Sequence, residues 1–146
     1  MNESGAPMHA DGTPDDRVAA ILRDMKRVAV VGISDKPERA SHGITRFLVG
    51  LGVEVVGINP MLEEVLGVKV YPSLADVPGS LDVVDIFRRS ETVPPVVDEA
   101  IAVGAGTVWM QEGVVNEDAA RAARNAGLDV IMDRCIYKEW LRLLNG

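Results

Sequence analysis

Apolar residues in this sequence form short continuous runs that are separated by stretches with helical spacing. The runs are rich in Val and Ile and are VAVVG (28–32), VEVVGI (53–58), LDVVDIF (81–87), TVWM (107–110) and LDVIM (128–132). A run without regular polar alternation is typical of a strand that is covered on both faces, as in a parallel sheet. The pattern therefore predicts five parallel strands.

Between the runs, apolar residues recur at the spacing of an amphipathic helix. Thr13 offers a hydroxyl N-cap, Pro14 suits the first helical position, and two carboxylates follow, which predicts a helix over 14–26. Further helices are predicted over 41–51, 92–103, 116–127 and 135–144. Strands that alternate with helices in this way form right-handed βαβ units. We therefore expect one α/β domain over 14–146, a Rossmann-like, doubly wound, parallel five-stranded sheet.

The N-terminal residues carry no signal for a packed element. Residues 1–13 are rich in small and turn-forming residues, which predicts a disordered tail, and they lack the basic and apolar regions of a signal peptide. No apolar run approaches the roughly 20 residues of a membrane span. The single cysteine, Cys135, allows no internal disulfide. We expect a cytoplasmic protein.

The distribution of charge indicates an anionic ligand. A formal net charge of −7 argues against nucleic-acid or anionic-membrane partners. Even so, cations follow the predicted strand ends, where open α/β sheets bind their ligands: Lys36, Arg39, Arg88, Arg89 and Arg134. The alternative is that these cations form ion pairs with neighbouring carboxylates such as Asp35, Glu38 or Asp133.

The loop after the first predicted strand, VAVVGISDKPERASHG (28–43), departs from a dinucleotide fingerprint. Ser34 and Pro37 stand where that fingerprint has its second and third glycines. The second strand ends at Asn59-Pro60 instead of at a carboxylate for the ribose. An NAD(P)-linked redox or sensor domain is therefore the weaker alternative. A loop that carries cations suits a ligand with more phosphate charge, held by side chains and by amides at a helix start.

The stretches VAVVGISDKPERASHG, GINP, VYPSLADVP, LDVVDIFRRSETVPPVVDEAIAVGA, TVWMQEGVVNEDAA and VIMDRC resemble the CoA-binding protein family. Members of this family are stand-alone relatives of the CoA-binding domain of the succinyl-CoA synthetase alpha subunit. The stretches cover residues 28 to 135, which is most of the predicted domain. The resemblance implies a five-stranded Rossmann-type fold with coenzyme A across the strand ends, and it implies no reaction.

The resemblance also implies which loops would surround CoA. The loop after the first strand would hold the phosphates with Gly32, Ile33, Ser34, Lys36 and Arg39. Pro37 and Ser41 are also expected at this site, Ser41 as a further hydrogen-bond donor. The second strand end would flank the 3′-phosphate or ribose with Asn59 and Pro60. The adenine side would be formed by Ile86, Phe87 and Arg88. Gln111 would lie near the path of the pantetheine arm.

Two residues with reactive side chains have simpler interpretations. The synthetase relatives use a phosphorylated histidine, but it lies in another domain without a counterpart in this sequence, so we interpret His42 as a capping or packing residue. Cys135 follows Arg134 at a helix start, which favours a thiolate; the alternative is an inert buried cysteine. We expect no catalytic residue and no metal site, since no cluster has metal-ligand spacing.

The sequence therefore predicts a protein that binds CoA or an acyl-CoA without a clear catalytic activity of its own. The alternatives are the NAD(P)-linked domain and a fragment of a ligase or transferase that needs a partner chain. A homodimer is compatible with a small domain, although no residue indicates one.

Overall fold

A central sheet of seven strands organises the described part of the protein. The structure is a computed structural model, and it describes residues 11–144. The strands are β1 (Arg27–Val31), β2 (Glu54–Ile58), β3 (Glu64–Val65), β4 (Val68–Tyr71), β5 (Val83–Ile86), β6 (Thr107–Met110) and β7 (Asp129–Ile131). Their order across the sheet is β3-β4-β2-β1-β5-β6-β7, and every neighbouring pair is parallel except β3 and β4.

The order in which the chain adds strands to the sheet changes direction at β1. The chain adds β2 on one side of β1 and later β5 on the other. In the register, Val31 lies opposite both Ile58 and Ile86, so these three strands end at one level. Open α/β sheets bind ligands in the crevice outside the carboxyl ends of the strands, at the point where the strand order changes direction. In this protein that crevice lies at the ends of β1, β2 and β5.

Five strands were predicted, and the observed number corrects that prediction. The five predicted strands correspond to β1, β2, β5, β6 and β7. The additional β3 and β4 form a short antiparallel hairpin around Leu66 and Gly67, which both have positive φ (54° and 77°). Each of the two strands is too short for its alternation to stand out in the sequence, and β4 is recruited by parallel pairing with β2.

Five α-helices cover the two faces of the sheet. They are α1 (Asp15–Asp24), α2 (Ala40–Gly50), α3 (Val93–Ala102), α4 (Glu117–Asn125) and α5 (Ile136–Leu143), with 3₁₀ turns at Leu74–Asp76 and Ser90–Thr92. Helices α1, α2 and α5 share one apolar core with the sheet, and α3 and α4 share the other. The predicted α/β architecture with helices on both faces is confirmed.

Alternate residues of each central strand supply the two cores. Val30 of β1 and Trp109 of β6 face α1, α2 and α5, whereas Val31 and Met110 face α3 and α4. All four side chains are almost completely buried. This double burial explains why the strands are continuous apolar runs in the sequence.

An N-cap hydrogen bond is present at α4, whereas the N-cap predicted at Thr13 is not observed. Asn116 caps α4 by accepting a hydrogen bond from the amide of Ala119 (2.9 Å). Thr13 does not cap α1, whose N-cap position is Pro14. Its hydroxyl instead donates to the carbonyl of Val130 (2.6 Å). A capping signal involves only residues that are close in sequence. It could therefore not reveal that Thr13 contacts Val130, which is 117 residues away.

The segment before α1 is tied to the end of the sheet by a buried ion pair. Residues 1–10 of the predicted tail lie outside the described residues, but Asp11 is buried and accepts hydrogen bonds from the Arg134 guanidinium (2.7 and 3.0 Å). Arg134 also pairs with Glu139 (3.0 Å). Arg134 was predicted to be one of the cations at the ligand edge. That prediction is wrong, because its charge is neutralised inside the fold.

Candidate ligand-binding site

The loop after β1 begins at a position that only glycine fits. Gly32 has φ +87°, and a Cβ at this position would lie 2.2 Å from the carbonyl oxygen of Phe87. Its amide donates to the carbonyl of Ile58 (2.9 Å). Gly32 therefore lets the loop pass directly over the ends of β2 and β5, where a side chain would push it away.

The next residues of this loop are fixed to the end of β2. Ile33 is fully buried against Gly57, where an added Cβ would lie 2.7 Å from Ile33 Cδ1. Asn59 donates from Nδ2 to the carbonyl of Ile33 (2.9 Å) and accepts from the amide of Met61 at Oδ1 (2.8 Å). Asn59 therefore ends β2 and also joins the two loops into one wall.

A cavity of about 470 Å³ lies between these two loops and the start of α2. We call it cavity A. Its lining residues are Gly32, Ile33, Ser34, Asp35, Lys36, Arg39, Ala40, Ser41, Asn59, Met61, Leu62 and Phe87. It lies at the crevice where the order of the strands reverses, the position expected for a ligand of this fold.

Positive charge dominates one wall of cavity A. Lys36 and Arg39 are exposed, and neither takes part in an ion pair with any residue that the structure describes. Helix α2 starts at this wall with no side-chain cap and no acidic residue in its first turn. Asp35 is the carboxylate among the described lining residues. Two cations and the positive end of a helix dipole are groups that attract an anion.

A second cavity of about 390 Å³ adjoins cavity A. We call it cavity B. Its lining residues are Ala40, Gly43, Ile44, Phe47, Phe87, Gln111, Glu112, Cys135 and Tyr137. Ala40 and Phe87 also line cavity A, so the two cavities share a wall. The lining of cavity B is mostly apolar, in contrast to that of cavity A.

The polar residues of cavity B are held by other parts of the fold. Gln111 is buried and accepts a hydrogen bond at Oε1 from the amide of Ile136 (3.1 Å). Glu112 accepts from Lys138 (2.9 Å), and this hydrogen bond and charge raise the pKa of the Lys138 ammonium. Cys135 is half-buried at the start of α5. Cavity B therefore combines an apolar floor with a fixed amide.

The structure brings most, but not all, of the predicted site residues together. Cavity A contains Gly32, Ile33, Ser34, Lys36, Arg39, Ser41, Asn59 and Phe87, and cavity B contains Phe87 and Gln111. Pro37 and Pro60 are exposed in the same loops but line neither cavity. The structure therefore places these two prolines beside the cavities and not in their linings.

Two residues predicted on the adenine side lie elsewhere. Ile86 is fully buried in the core that faces α3 and α4. Arg88 lines a separate cavity of about 330 Å³ on that face, together with Glu99. The alternation of side chains along β5 and the loop after it sends Phe87 to one face and its two neighbours to the other. Arg88 therefore does not share a cavity with Lys36 and Arg39.

Sequence reasoning missed several lining residues. Met61 and Leu62 line cavity A, and their only signal is that they follow the strand end at Asn59. Ile44 and Phe47 line cavity B, although their helical spacing predicted core positions. Ile44 and Phe47 both pack against the apolar core and line cavity B. The helical spacing of apolar residues does not distinguish a core position from a cavity-lining one.

Two buried polar side chains lack partners among the described residues. His42 lies on α2, is 5% exposed and lines neither cavity, and its Nδ1 has no hydrogen-bond partner. The prediction that it packs agrees with this burial. Asp85 on β5 is fully buried, both carboxylate oxygens lack partners, and burial raises the pKa of this carboxyl well above its ordinary value. In the part of the chain that the structure describes, no group of three or more His, Cys, Asp or Glu side chains could hold a metal ion.

Comparisons with known proteins agree with this geometry. A family model described as a CoA binding domain matches residues 26–140. The chain is similar to the uncharacterized protein YneT of Bacillus subtilis, with 43% identity over 119 residues that cover 82% of this chain and 88% of that protein. It is also similar to a hypothetical protein from Pyrococcus horikoshii OT3 of solved structure, with 39% identity, a TM-score of 0.92 and coverage of 95% and 98% of the two chains.

A larger enzyme contains a similar region. The ADP-forming acetate–CoA ligase of Methanocaldococcus jannaschii is 31% identical over 119 residues, which cover 76% of this chain but only 17% of that protein. The described helices include none that is long and apolar enough to cross a membrane.

The matched family model and these relatives show the family: the chain belongs to the CoA-binding domain family.

Proposed function

We propose that this protein binds CoA or an acyl-CoA in cavities A and B, and that binding is its function. One observation carries the proposal: Lys36, Arg39 and the uncapped start of α2 form a cationic wall at the crevice of an acidic protein. Charges without a partner among the described residues are available to a ligand. The diphosphate of CoA is complementary to this wall in charge.

The rest of the ligand is assigned from the two cavities. The phosphates lie over Gly32 and Ser34, beside Lys36 and Arg39. The ribose or its 3′-phosphate lies toward Asn59, on the other side of cavity A. Because Ile86 is in the core and Arg88 is in a separate cavity, we do not assign the adenine to them. The pantetheine arm crosses Ala40 and Phe87 into cavity B, where Gln111 lies.

The geometry supports a nicotinamide dinucleotide less well. The loop after β1 has a single glycine over the strand ends, Gly32, and β2 ends at Asn59, which is already hydrogen-bonded to the loop. A nicotinamide dinucleotide prefers a glycine-rich loop and a carboxylate for its ribose diol. A relative also favours CoA, since the similar M. jannaschii enzyme is an ADP-forming acetate–CoA ligase.

Calorimetric titration at one stated salt concentration tests the proposal. We expect CoA to bind most tightly, dephospho-CoA less tightly, and ADP and NADH more weakly still. Lys36→Ala and Arg39→Ala should each weaken CoA binding by about tenfold to a hundredfold, because each removes a charge-assisted contact of about 1.5–3 kcal/mol.

Arg46→Ala is the matched control, since Arg46 is an exposed cation of α2 that lines neither cavity. It makes the same change in net charge and should bind CoA like the parent protein. Tighter binding of NADH than of CoA would contradict the proposed ligand. Unchanged CoA binding by the Lys36 and Arg39 variants would contradict the assignment of cavity A.

A further inference from the structure

We propose that cavity B receives the acyl group of a CoA thioester and selects a short, uncharged aliphatic acyl group. The inference rests on the proposed function, because it assumes that cavity A holds the phosphates of the same ligand. It goes further by naming the class of ligand: an acyl-CoA in preference to free CoA, and a monocarboxylic acyl group in preference to a dicarboxylic one.

The two cavities are placed so that one ligand can occupy both. Ala40 and Phe87 belong to the linings of both cavities, so the two cavities lie side by side. The cations lie in cavity A and the apolar side chains in cavity B. A ligand with a polyanionic end and an apolar end matches this division, and an acyl-CoA has both ends.

The lining of cavity B suits a thioester followed by an alkyl chain. Ile44 and Phe47 of α2 form an apolar side. Gln111 is held at Oε1 by the amide of Ile136, so the N–H groups of its side chain are the part that can donate to a ligand carbonyl. A fixed donor beside apolar side chains can bind the thioester oxygen while the chain beyond it is buried.

The charges around cavity B disfavour an acyl group that ends in a carboxylate. None of the described residues that line the cavity is a cation, and Glu112 is an acid. The neighbouring cation, Lys138, already pairs with Glu112 (2.9 Å). A carboxylate that entered this cavity would lose water without gaining a counter-charge.

Gly43 allows the cavity to be filled by mutation. Gly43 lies on α2 and lines cavity B, and a Cβ added there meets no atom within 4 Å. Gly43→Leu therefore extends a side chain into cavity B from a helical backbone. Gly50→Leu is the matched control, because Gly50 also lies on α2 with open space at its Cβ and lines neither cavity.

The experiment is calorimetric titration of the three proteins with CoA, acetyl-CoA, butyryl-CoA, succinyl-CoA and 3′-phospho-ADP, the nucleotide half of CoA. For the parent protein and Gly50→Leu, we expect butyryl-CoA to bind about fifteenfold more tightly than acetyl-CoA, since it buries two further methylenes and each contributes about fourfold. Succinyl-CoA, which has a carboxylate where butyryl-CoA has a methyl group, should bind at least tenfold more weakly than butyryl-CoA. Gly43→Leu should lose the preference for butyryl-CoA.

The contrary outcomes separate failure of this inference from failure of the proposed function. Equal binding of CoA, butyryl-CoA and succinyl-CoA by the parent protein would overturn the inference and leave the proposed function standing. So would a Gly43→Leu protein that keeps the preference for butyryl-CoA, or one that loses 3′-phospho-ADP and butyryl-CoA binding equally. No binding of either CoA or 3′-phospho-ADP by the parent protein would overturn both proposals.

Discussion

Asp85 shows at the scale of one residue what the sequence pattern leaves open. The apolar run around it predicts a buried strand, and Asp85 is indeed fully buried between Val30 and Trp109 in the register of the sheet. The pattern could not show that both carboxylate oxygens lack partners among the residues that the structure describes, since potential partners would come from other elements. An unpaired buried carboxyl lowers stability, and burial raises its pKa.

The raised pKa predicts a specific pH dependence of stability. The unfolded chain releases the Asp85 proton near the ordinary pKa of aspartate, whereas the folded protein keeps it to higher pH. The free energy of unfolding should therefore fall as pH rises above that ordinary value, by about 1.4 kcal/mol per pH unit until the folded-state pKa is reached. Asp85→Asn should remove this contribution, as measured by urea unfolding between pH 5 and pH 8.

The control for this measurement is Asp98→Asn, because Asp98 is exposed on α3. Its stability should follow that of the parent protein across the same pH range. Parallel pH profiles for the parent and Asp85→Asn proteins would contradict the effect assigned to Asp85.

At the scale of elements, the connection from β1 to α2 depends on contacts across strands. The apolar run, Gly32 and the helical spacing after it were enough to predict β1, the loop and α2. They could not reveal that Gly57 in β2 leaves room for Ile33, because this contact joins residues that are far apart in sequence. Gly57 therefore affects the position of Ile33 in the wall of cavity A, although Gly57 does not line the cavity.

Gly57→Ala should disturb the loop that carries Ser34 and Lys36. The added Cβ would lie 2.7 Å from Ile33 Cδ1 and 2.9 Å from Ile33 Cγ2, so Ile33 and the loop must move. Overpacking of this kind costs about 1–3 kcal/mol. We expect lower stability by thermal unfolding and weaker CoA binding by calorimetry.

Ile33→Val tests the cause, since it removes the closer of the two clashing atoms. In the Gly57→Ala background it should restore part of the lost stability, although alone it should destabilise the protein. Additive effects of the two substitutions would contradict the proposed contact.

At the scale of the whole molecule, a network of ion pairs links the segment before α1 to helix α5. Asp11 pairs with Arg134, and Arg134 pairs with Glu139, which also pairs with Arg142. Burial would raise the pKa of Glu139, but hydrogen bonds from Arg142 and Arg134 outweigh burial and hold it below its ordinary value. The sequence showed these charges but not their partners, so Arg134 was assigned to the ligand edge and Asp11 to a disordered tail.

Asp11→Asn should destabilise the protein by about 3–5 kcal/mol, because it leaves the buried Arg134 guanidinium without one of its counter-charges. Denaturant unfolding at neutral pH measures the change. Asp16→Asn, at an exposed position of α1, should change stability little. Equal stability of the two variants would contradict the structural role of Asp11.

For the whole molecule, the sequence predicted the central strands of the sheet better than the strands at its edge. The five long apolar runs were sufficient for the central parallel strands, since burial on both faces leaves a strong pattern. The hairpin of β3 and β4 was missed, because strands this short leave little pattern. The cationic wall was predicted from local sequence, whereas cavity B needs α2, α5 and the end of β6 to meet.

The hydrogen bonds of Asp11 and Thr13 have a further consequence at β7, one of the two edge strands of the sheet. An uncovered outer strand presents free peptide groups to which a strand of another molecule can add, and this is a common start of aggregation. Here the amide of Met132 donates to Asp11 Oδ2 (2.8 Å), and the carbonyl of Val130 accepts from the Thr13 hydroxyl (2.6 Å). Two side chains thus occupy the positions that an incoming strand would use, so the segment before α1 shields the protein from intermolecular β-pairing at this border.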